Sequence, residues 1–332
     1  MEIKQILNDL YGLKNIAKIY KAEGGHDGDN SIVETKSDKY FLKQYKNFSK
    51  ERVIEIHKTY EYFENAGIPT VSPLENKNNS DYFELENNYY ALFSFINAKE
   101  ISRDELNKTN IASMGKLLGK MHKVAGNELP DFMKSQKNRK FDIEFFSENA
   151  KSLLEHIENI NEKTDLDRMN IETLTNKINY INTNSEKILA TNQPRDIILT
   201  HRDFQERNLF FDENGEVLKI FDFDKSCGDS RYIEISRTIL FVCTAGEFEE
   251  SNFNKIETLL RNYLKEYVID EKEMENALKF YIFDDMFSRW IIDQYYMKGN
   301  KRTEYFMQDQ HDTQIYMSKN LDNFIQRVVS YL

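Results

Sequence analysis

The chain has 332 residues, 40% of them apolar and 13% aromatic, and a formal net charge of −11. This length and composition suit a globular chain of two structural units with a real core, and exclude wholesale disorder. The acidic balance argues against a nucleic-acid partner, which needs a basic face for phosphate contacts, and is compatible with a cationic ligand. The longest apolar runs, such as residues 89–96, are too short to cross a bilayer, so no membrane partner is expected. Cys227 and Cys243 match neither a zinc nor a redox spacing, which makes a reduced, cytoplasmic setting the default. Residues 1–14 are polar and helix-like, without the apolar stretch of a secretory signal.

Residues 15–22 read as a strand, followed by a polar loop containing Gly24, Gly25 and Gly28. Residues 31–35 and 39–45 read as two strands around a Lys36-Ser37-Asp38 turn. Phe41, Lys43 and Tyr45 then share one face by the two-residue period. Residues 49–65 read as a helix: Ser49 is an N-cap, and Val53, Ile56, Tyr60 and Phe63 form an apolar stripe. Gly67 and Pro69 terminate it. Two more strands are expected near 82–86 and 89–95.

After Ile96 the period changes. Ile111, Met114, Leu117, Leu118 and Met121 make an amphipathic helical face, and residues 141–190 keep that spacing through Ile143, Phe146, Leu153 and Ile157. Strand character returns in short pieces over 197–222, and the chain is helical again from Glu234. The pattern predicts an α+β fold: an N-terminal antiparallel sheet lobe over residues 1–96, and a mainly helical lobe over 97–332.

The chemistry concentrates in His201-Arg202-Asp203-Phe204-Gln205-Glu206-Arg207-Asn208, followed by Phe221-Asp222-Phe223-Asp224. Between them, residues 208–220 read as a hairpin around Asn214-Gly215. Phosphoryl transfer needs a carboxylate at the attacking hydroxyl and hard oxygen ligands for Mg²⁺. Asn208 and Asp222 supply such oxygens from opposite ends of the hairpin, with Asp224 close by. Asp203 is left free of metal to face the acceptor.

This pair of motifs resembles the aminoglycoside phosphotransferase and choline kinase superfamily, with its His-x-Asp-x-x-x-x-Asn loop and Asp-x-Asp metal motif. The resemblance implies a protein-kinase-like bilobal fold with Mg²⁺ as cofactor and ATP or GTP as co-substrate. It implies Asp203, Asn208 and Asp222 as catalytic residues, and a small hydroxyl compound as acceptor. Residues 227–234 look like the family's Gly-Asp-x-x-x-x-Asp segment, with two departures. Glu234 replaces the last Asp, and Arg202 stands where the family has Gly or Asn. Arg202 calls for an acid partner, either Asp229 or Glu234.

On the nucleotide side, Lys43 is expected on the α- and β-phosphates, with Glu55 preferred over Glu51 as its helix partner. The loop bearing Gly25 and Gly28 would cover the phosphates. Residues 92–97 look like the hinge, where the backbone at Ser94 and Ile96 would meet the purine. In the late helices, Asp284, Asp285 and Trp290 could hold a cationic acceptor such as an aminoglycoside, by charge and cation–π contact. Choline, ethanolamine and homoserine are alternatives. A protein kinase is disfavoured, because no Ala-Pro-Glu follows and few residues separate Asp224 from Glu234. A non-catalytic relative of the spore-coat kind is disfavoured by the intact catalytic positions. The protein is expected to act as a monomer or homodimer.

Overall fold

The computed structural model describes residues 2–22, 30–98, 101–135 and 139–332. Gly25 and Gly28 lie outside the described residues. The chain opens with helix α1 (Ile3–Tyr11) and strands β1 (Lys18–Lys21), β2 (Ser31–Glu34) and β3 (Lys39–Tyr45). Helix α2 (Lys50–Asn65) and strands β4 (Phe83–Leu85) and β5 (Asn88–Ser94) follow. The strands form one antiparallel sheet in the order β1-β2-β3-β5-β4.

Side-chain alternation decides how this sheet is covered. Val33, Leu42, Phe83 and Leu92 pack against Ile6 and Leu7 of α1. On the other face, Tyr45, Ala91 and Phe93 join Val53, Ile56, Tyr60 and Phe63 of α2 in the main core. Helix α2 starts as its sequence dictates, with the Ser49 hydroxyl accepting the Arg52 N–H at 3.2 Å. It ends at Gly67, whose φ of +81° lets the Ile68 N–H reach back to the Phe63 carbonyl at 2.9 Å. Lys43 stands directly opposite Ala91 in the β3–β5 register, a small neighbour that leaves room for the lysine stem on the buried face.

The rest is mainly helical: α3 (Lys108–Ala125), α4 (Ile143–Glu158), α5 (Asp165–Thr183) and α6 (Ser185–Leu189). Four short strands come next, β6 (Ile197–Thr200), β7 (Leu209–Phe211), β8 (Val217–Ile220) and β9 (Cys227–Ser230). The chain closes with α7 (Arg231–Thr238), α8 (Glu250–Tyr263), α9 (Glu271–Phe287), α10 (Trp290–Tyr296) and α11 (Met307–Val329). The α+β fold class is the one expected. The sequence reading ends its strands at Asp222; the structure adds β9, which pairs antiparallel with β6. Among the described residues, no helix is long and apolar enough to cross a membrane.

Helix α3 lies against α8 so closely that only glycine fits at the crossing. A Cβ on Gly115 would come within 2.2 Å of the Leu259 carbonyl oxygen, a backbone atom that cannot swing aside. Gly115→Ala should therefore cost about 2–3 kcal/mol by forcing the two helices apart. Thermal unfolding checks this; an unchanged Tm would mean that the crossing is looser than described.

Candidate active site

The loop over residues 201–208 is strung between two small sheets. Strand β6 ends at Thr200, β7 begins at Leu209, and the hairpin β7–β8 returns the chain to Asp222. Asp212 closes that hairpin, its carboxylate accepting the N–H groups of Asn214 and Glu216 at 2.9 Å each, with Gly215 at φ +84°. The Phe221 N–H donates to the Asn208 carbonyl at 3.1 Å, which sets Asn208 beside Asp222.

Buried polar groups hold the loop from behind. The His201 ring lies 3.0 Å from the Phe221 carbonyl through Nε2 and packs 4.5 Å from the Phe223 ring. Glu234 receives the backbone N–H of His201 at 3.3 Å and that of Arg202, and its other partner is His122 Nε2 at 2.9 Å. Burial alone would push the Glu234 carboxyl up; its hydrogen bond with His122 and nearby His201 hold it below the usual range. Glu234 thus fastens the loop to α7 and α3.

Arg202 adopts φ +65°, a left-handed conformation that costs a side-chain-bearing residue about 1 kcal/mol and that Gly or Asn tolerates more readily. The Glu234 bond to its N–H and a guanidinium pairing with Asp229 compensate. Of the two acids expected for Arg202, Asp229 takes the guanidinium and Glu234 the backbone. Asp222 also sits at φ +65°, so both turns flanking the site carry strain.

Lys43 is buried, and its ammonium lies 2.7 Å from both Asp222 Oδ1 and Asp224 Oδ1. Burial disfavours its charge, but the two carboxylates outweigh that and raise its pKa well above the ordinary lysine value. Asp222 titrates low: burial opposes this, and the Lys43 charge overrides it. Asp224 is pushed up to about 6, by burial first and by neighbouring Asp222, against the pull of Lys43. Asp224 Oδ1 is buried and meets Lys43 as an ion contact without a directed hydrogen bond. The donor types of Asp222, Asp224 and Asn208, two carboxylates and an amide, fit Mg²⁺, which takes few protein ligands and completes its shell with phosphate and water. Among the described residues, no cluster of three or more His, Cys, Asp or Glu ligands exists, so a softer or all-protein metal site has no candidate.

The expected Lys43–Glu55 pair is not formed. Arg52, one turn earlier on α2, takes Glu55 at 3.1 Å, and Lys134 adds a contact at 3.4 Å. Arg52 also donates to the carbonyls of Asp224 and Ser226 at 2.8 and 2.6 Å, so α2 grips the backbone of the 222–226 segment. Tyr60 completes that grip, its hydroxyl accepting the Asp222 N–H at 2.9 Å. Ser94 ends β5, exposed, and Ile96 lies half-buried just beyond it.

Asp203 is gripped by two cations that sequence reading missed: Arg237 at 2.6 Å and Lys225 at 3.1 Å. Burial would raise its pKa; Arg237 and then Lys225 reverse this and hold the carboxyl below the usual range. Asn208 donates its amide N–H to the Asp203 carbonyl at 2.7 Å, which turns its amide oxygen the other way. Arg237 lies three residues after Glu234 on α7, so helical spacing from the fastening acid was the available signal.

The acceptor candidates do not assemble. Asp284 pairs with Arg139 at 2.7 Å, whereas Asp285 turns to Gln314 and to buried Lys177. Adjacent helical residues point about 100° apart, so the two carboxylates meet different neighbours. Trp290 is 55% exposed.

The profile of the Phosphotransferase enzyme family (APH) matches residues 18–274, more than half of the chain, and the chain belongs to that family. It is a phosphotransferase that acts on hydroxyl groups. No curated protein matches the chain in sequence. Solved structures similar to it include spectinomycin phosphotransferase APH(9)-Ia bound to ADP and spectinomycin, at 17% identity and TM-score 0.62, covering 99% of this chain and 97% of that one. Amicoumacin kinase, solved with AMP-PNP and Ca²⁺, gives 14% identity and TM-score 0.61 over 92% and 94%. A microcompartment-associated aminopropanol kinase gives 9% and 0.61 over 98% of both chains. These likenesses show the kinase-like fold.

Replacing Arg237 should shift Asp203 in a defined direction. Arg237→Met removes the largest stabiliser of the ionised carboxylate, so Asp203 should titrate at higher pH than in the wild type. A carboxyl-carbon NMR titration reads this directly; an unmoved titration would mean that Arg237 does not set the charge of Asp203.

Proposed function

We propose that the chain transfers the γ-phosphoryl group of ATP or GTP to the hydroxyl of a small molecule, as a cytoplasmic monomer or homodimer. The observation that carries this is the triad that buried Lys43 makes with half-buried Asp222 and Asp224, next to Asp203. It joins the sheet, here taken as a nucleotide-binding lobe over residues 1–96, to the catalytic loop of the lobe over 97–332. The known acceptors of its structural neighbours, spectinomycin, amicoumacin and aminopropanol, support a small-molecule acceptor.

In this reading Lys43 binds the α- and β-phosphates, and the backbone at Ser94 and Ile96 meets the purine. Asn208, Asp222 and Asp224 would hold Mg²⁺, which neutralises charge on the phosphates when bound. Asp203 orients the acceptor hydroxyl and takes its proton. Its lowered pKa makes it a weak base, which suits a loose transition state: proton transfer comes late, and orientation is the larger contribution. The lysine partner proposed from the sequence, Glu55, is replaced by the two metal-motif carboxylates. A cationic acceptor is not carried forward from Asp284, Asp285 and Trp290: the fold already partners Asp284 with Arg139 and Asp285 with Gln314, and Trp290 is 55% exposed.

Asp203→Asn keeps the shape of the side chain but cannot accept the proton. Its kcat should fall at least ~10²-fold while nucleotide affinity stays near wild type. Steady-state kinetics with calorimetry on the same preparation decides. A loss of nucleotide binding with kcat preserved would remove Asp203 from this role.

A further inference from the structure

The cleft beside Asp203 carries a charge opposite to that of the chain. It measures about 690 Å³, and five of its nine lining residues are cations: Arg52, Lys134, Arg202, Lys225 and Arg237. Asp224 is the one acid lining it. The surrounding carboxylates do not balance this set. Asp203 is shared by Arg237 and Lys225, and Glu55 by Arg52 and Lys134. Asp229 is shared by Arg202 and by Arg139, which continues to Asp284. Counting the lining Asp224, six cations therefore face five carboxylates, in a chain whose net charge is −11.

Two of these cations are exposed enough to take a new partner. The Lys134 side chain is 84% exposed and touches Glu55 only at 3.4 Å; that of Lys225 is 56% exposed while its ammonium touches Asp203. An anion held by Lys225 would lie a few ångströms from the carboxylate that receives the hydroxyl proton. An acceptor bridging both would carry its hydroxyl and its negative group only a few bonds apart. An amine in the same place would meet unbalanced like charge.

Resting on the kinase reading above, we propose that the acceptor is a small alcohol bearing a carboxylate or phosphate, recognised by the cationic wall of this cleft. Its hydroxyl oxygen forms the bond to the γ-phosphorus, and the bond from that phosphorus to the β–γ bridging oxygen breaks. The hydroxyl proton passes to Asp203, the nucleoside diphosphate leaves, and the anionic group of the acceptor is unchanged.

The test uses the full chain saturated with Mg²⁺ and AMP-PNP, so that the nucleotide's own phosphate positions are filled. Calorimetry then compares glycerate and glycerol 3-phosphate with glycerol, ethanolamine and kanamycin. The expected result is binding of at least one anionic probe more tightly than glycerol, with both amines no tighter than glycerol. Whether glycerate or glycerol 3-phosphate binds separates carboxylate from phosphate recognition. Lys134→Glu, a change at an exposed side chain, should weaken the anion roughly 5-fold, the scale of one exposed ion pair, and leave AMP-PNP affinity unchanged. Tighter binding of an amine, no binding of either anion, or anion binding indifferent to Lys134→Glu would each overturn the assignment. Failure of AMP-PNP itself to bind would instead strike at the kinase reading.

Discussion

A buried lysine ammonium must be neutralised, and the position of Lys43 makes that requirement an organising constraint. Its stem emerges from the middle of the sheet, yet both counter-charges, Asp222 and Asp224, come from the far end of the β7–β8 hairpin. The sheet and the segment that follows the hairpin are therefore tied through charge as well as apolar packing. Helix α2 is the third member of this junction, with Tyr60 receiving the Asp222 N–H and Arg52 donating to the two carbonyls beyond it.

The loop over residues 201–208 and the turn at Asp222 obey a parallel constraint. Their backbone turns through left-handed conformations at Arg202 and Asp222, which costs energy unless the exposed N–H groups find firm partners. Glu234 provides one such partner from α7, anchored in turn by His122 on α3. The same short helix carries Arg237 to Asp203, so one element fixes the loop's shape and the charge of its carboxylate.

Much of this was legible in the sequence, because it is written in short-range patterns. The two-residue period placed Lys43 on the buried face, Ser49 and Gly67 marked the ends of α2, and Asn214-Gly215 marked the hairpin that brings Asn208 to Asp222. Contacts that depend on competition in three dimensions were not legible. Glu55 lies on the expected helix, but Arg52 one turn away captures it, and Asp222 and Asp224 take Lys43 instead. Strand β9 escaped notice because Cys227-Gly228-Asp229-Ser230 has no alternating pattern; it is a strand because β6 offers it a partner. The acids of α9 looked like a cation site only while the positions of Arg139 and Lys177 were unknown.

The central claim is that the Lys43–Asp222–Asp224 junction is where a metal-bound triphosphate sits. Calorimetric titration of AMP-PNP with and without Mg²⁺, into the wild type and Asp222→Ala, tests it most directly. The account predicts markedly tighter binding with Mg²⁺ in the wild type, and loss of that metal effect in Asp222→Ala while the protein remains folded. Equal affinity with and without Mg²⁺ in the wild type, or an undiminished metal effect in the variant, would contradict it.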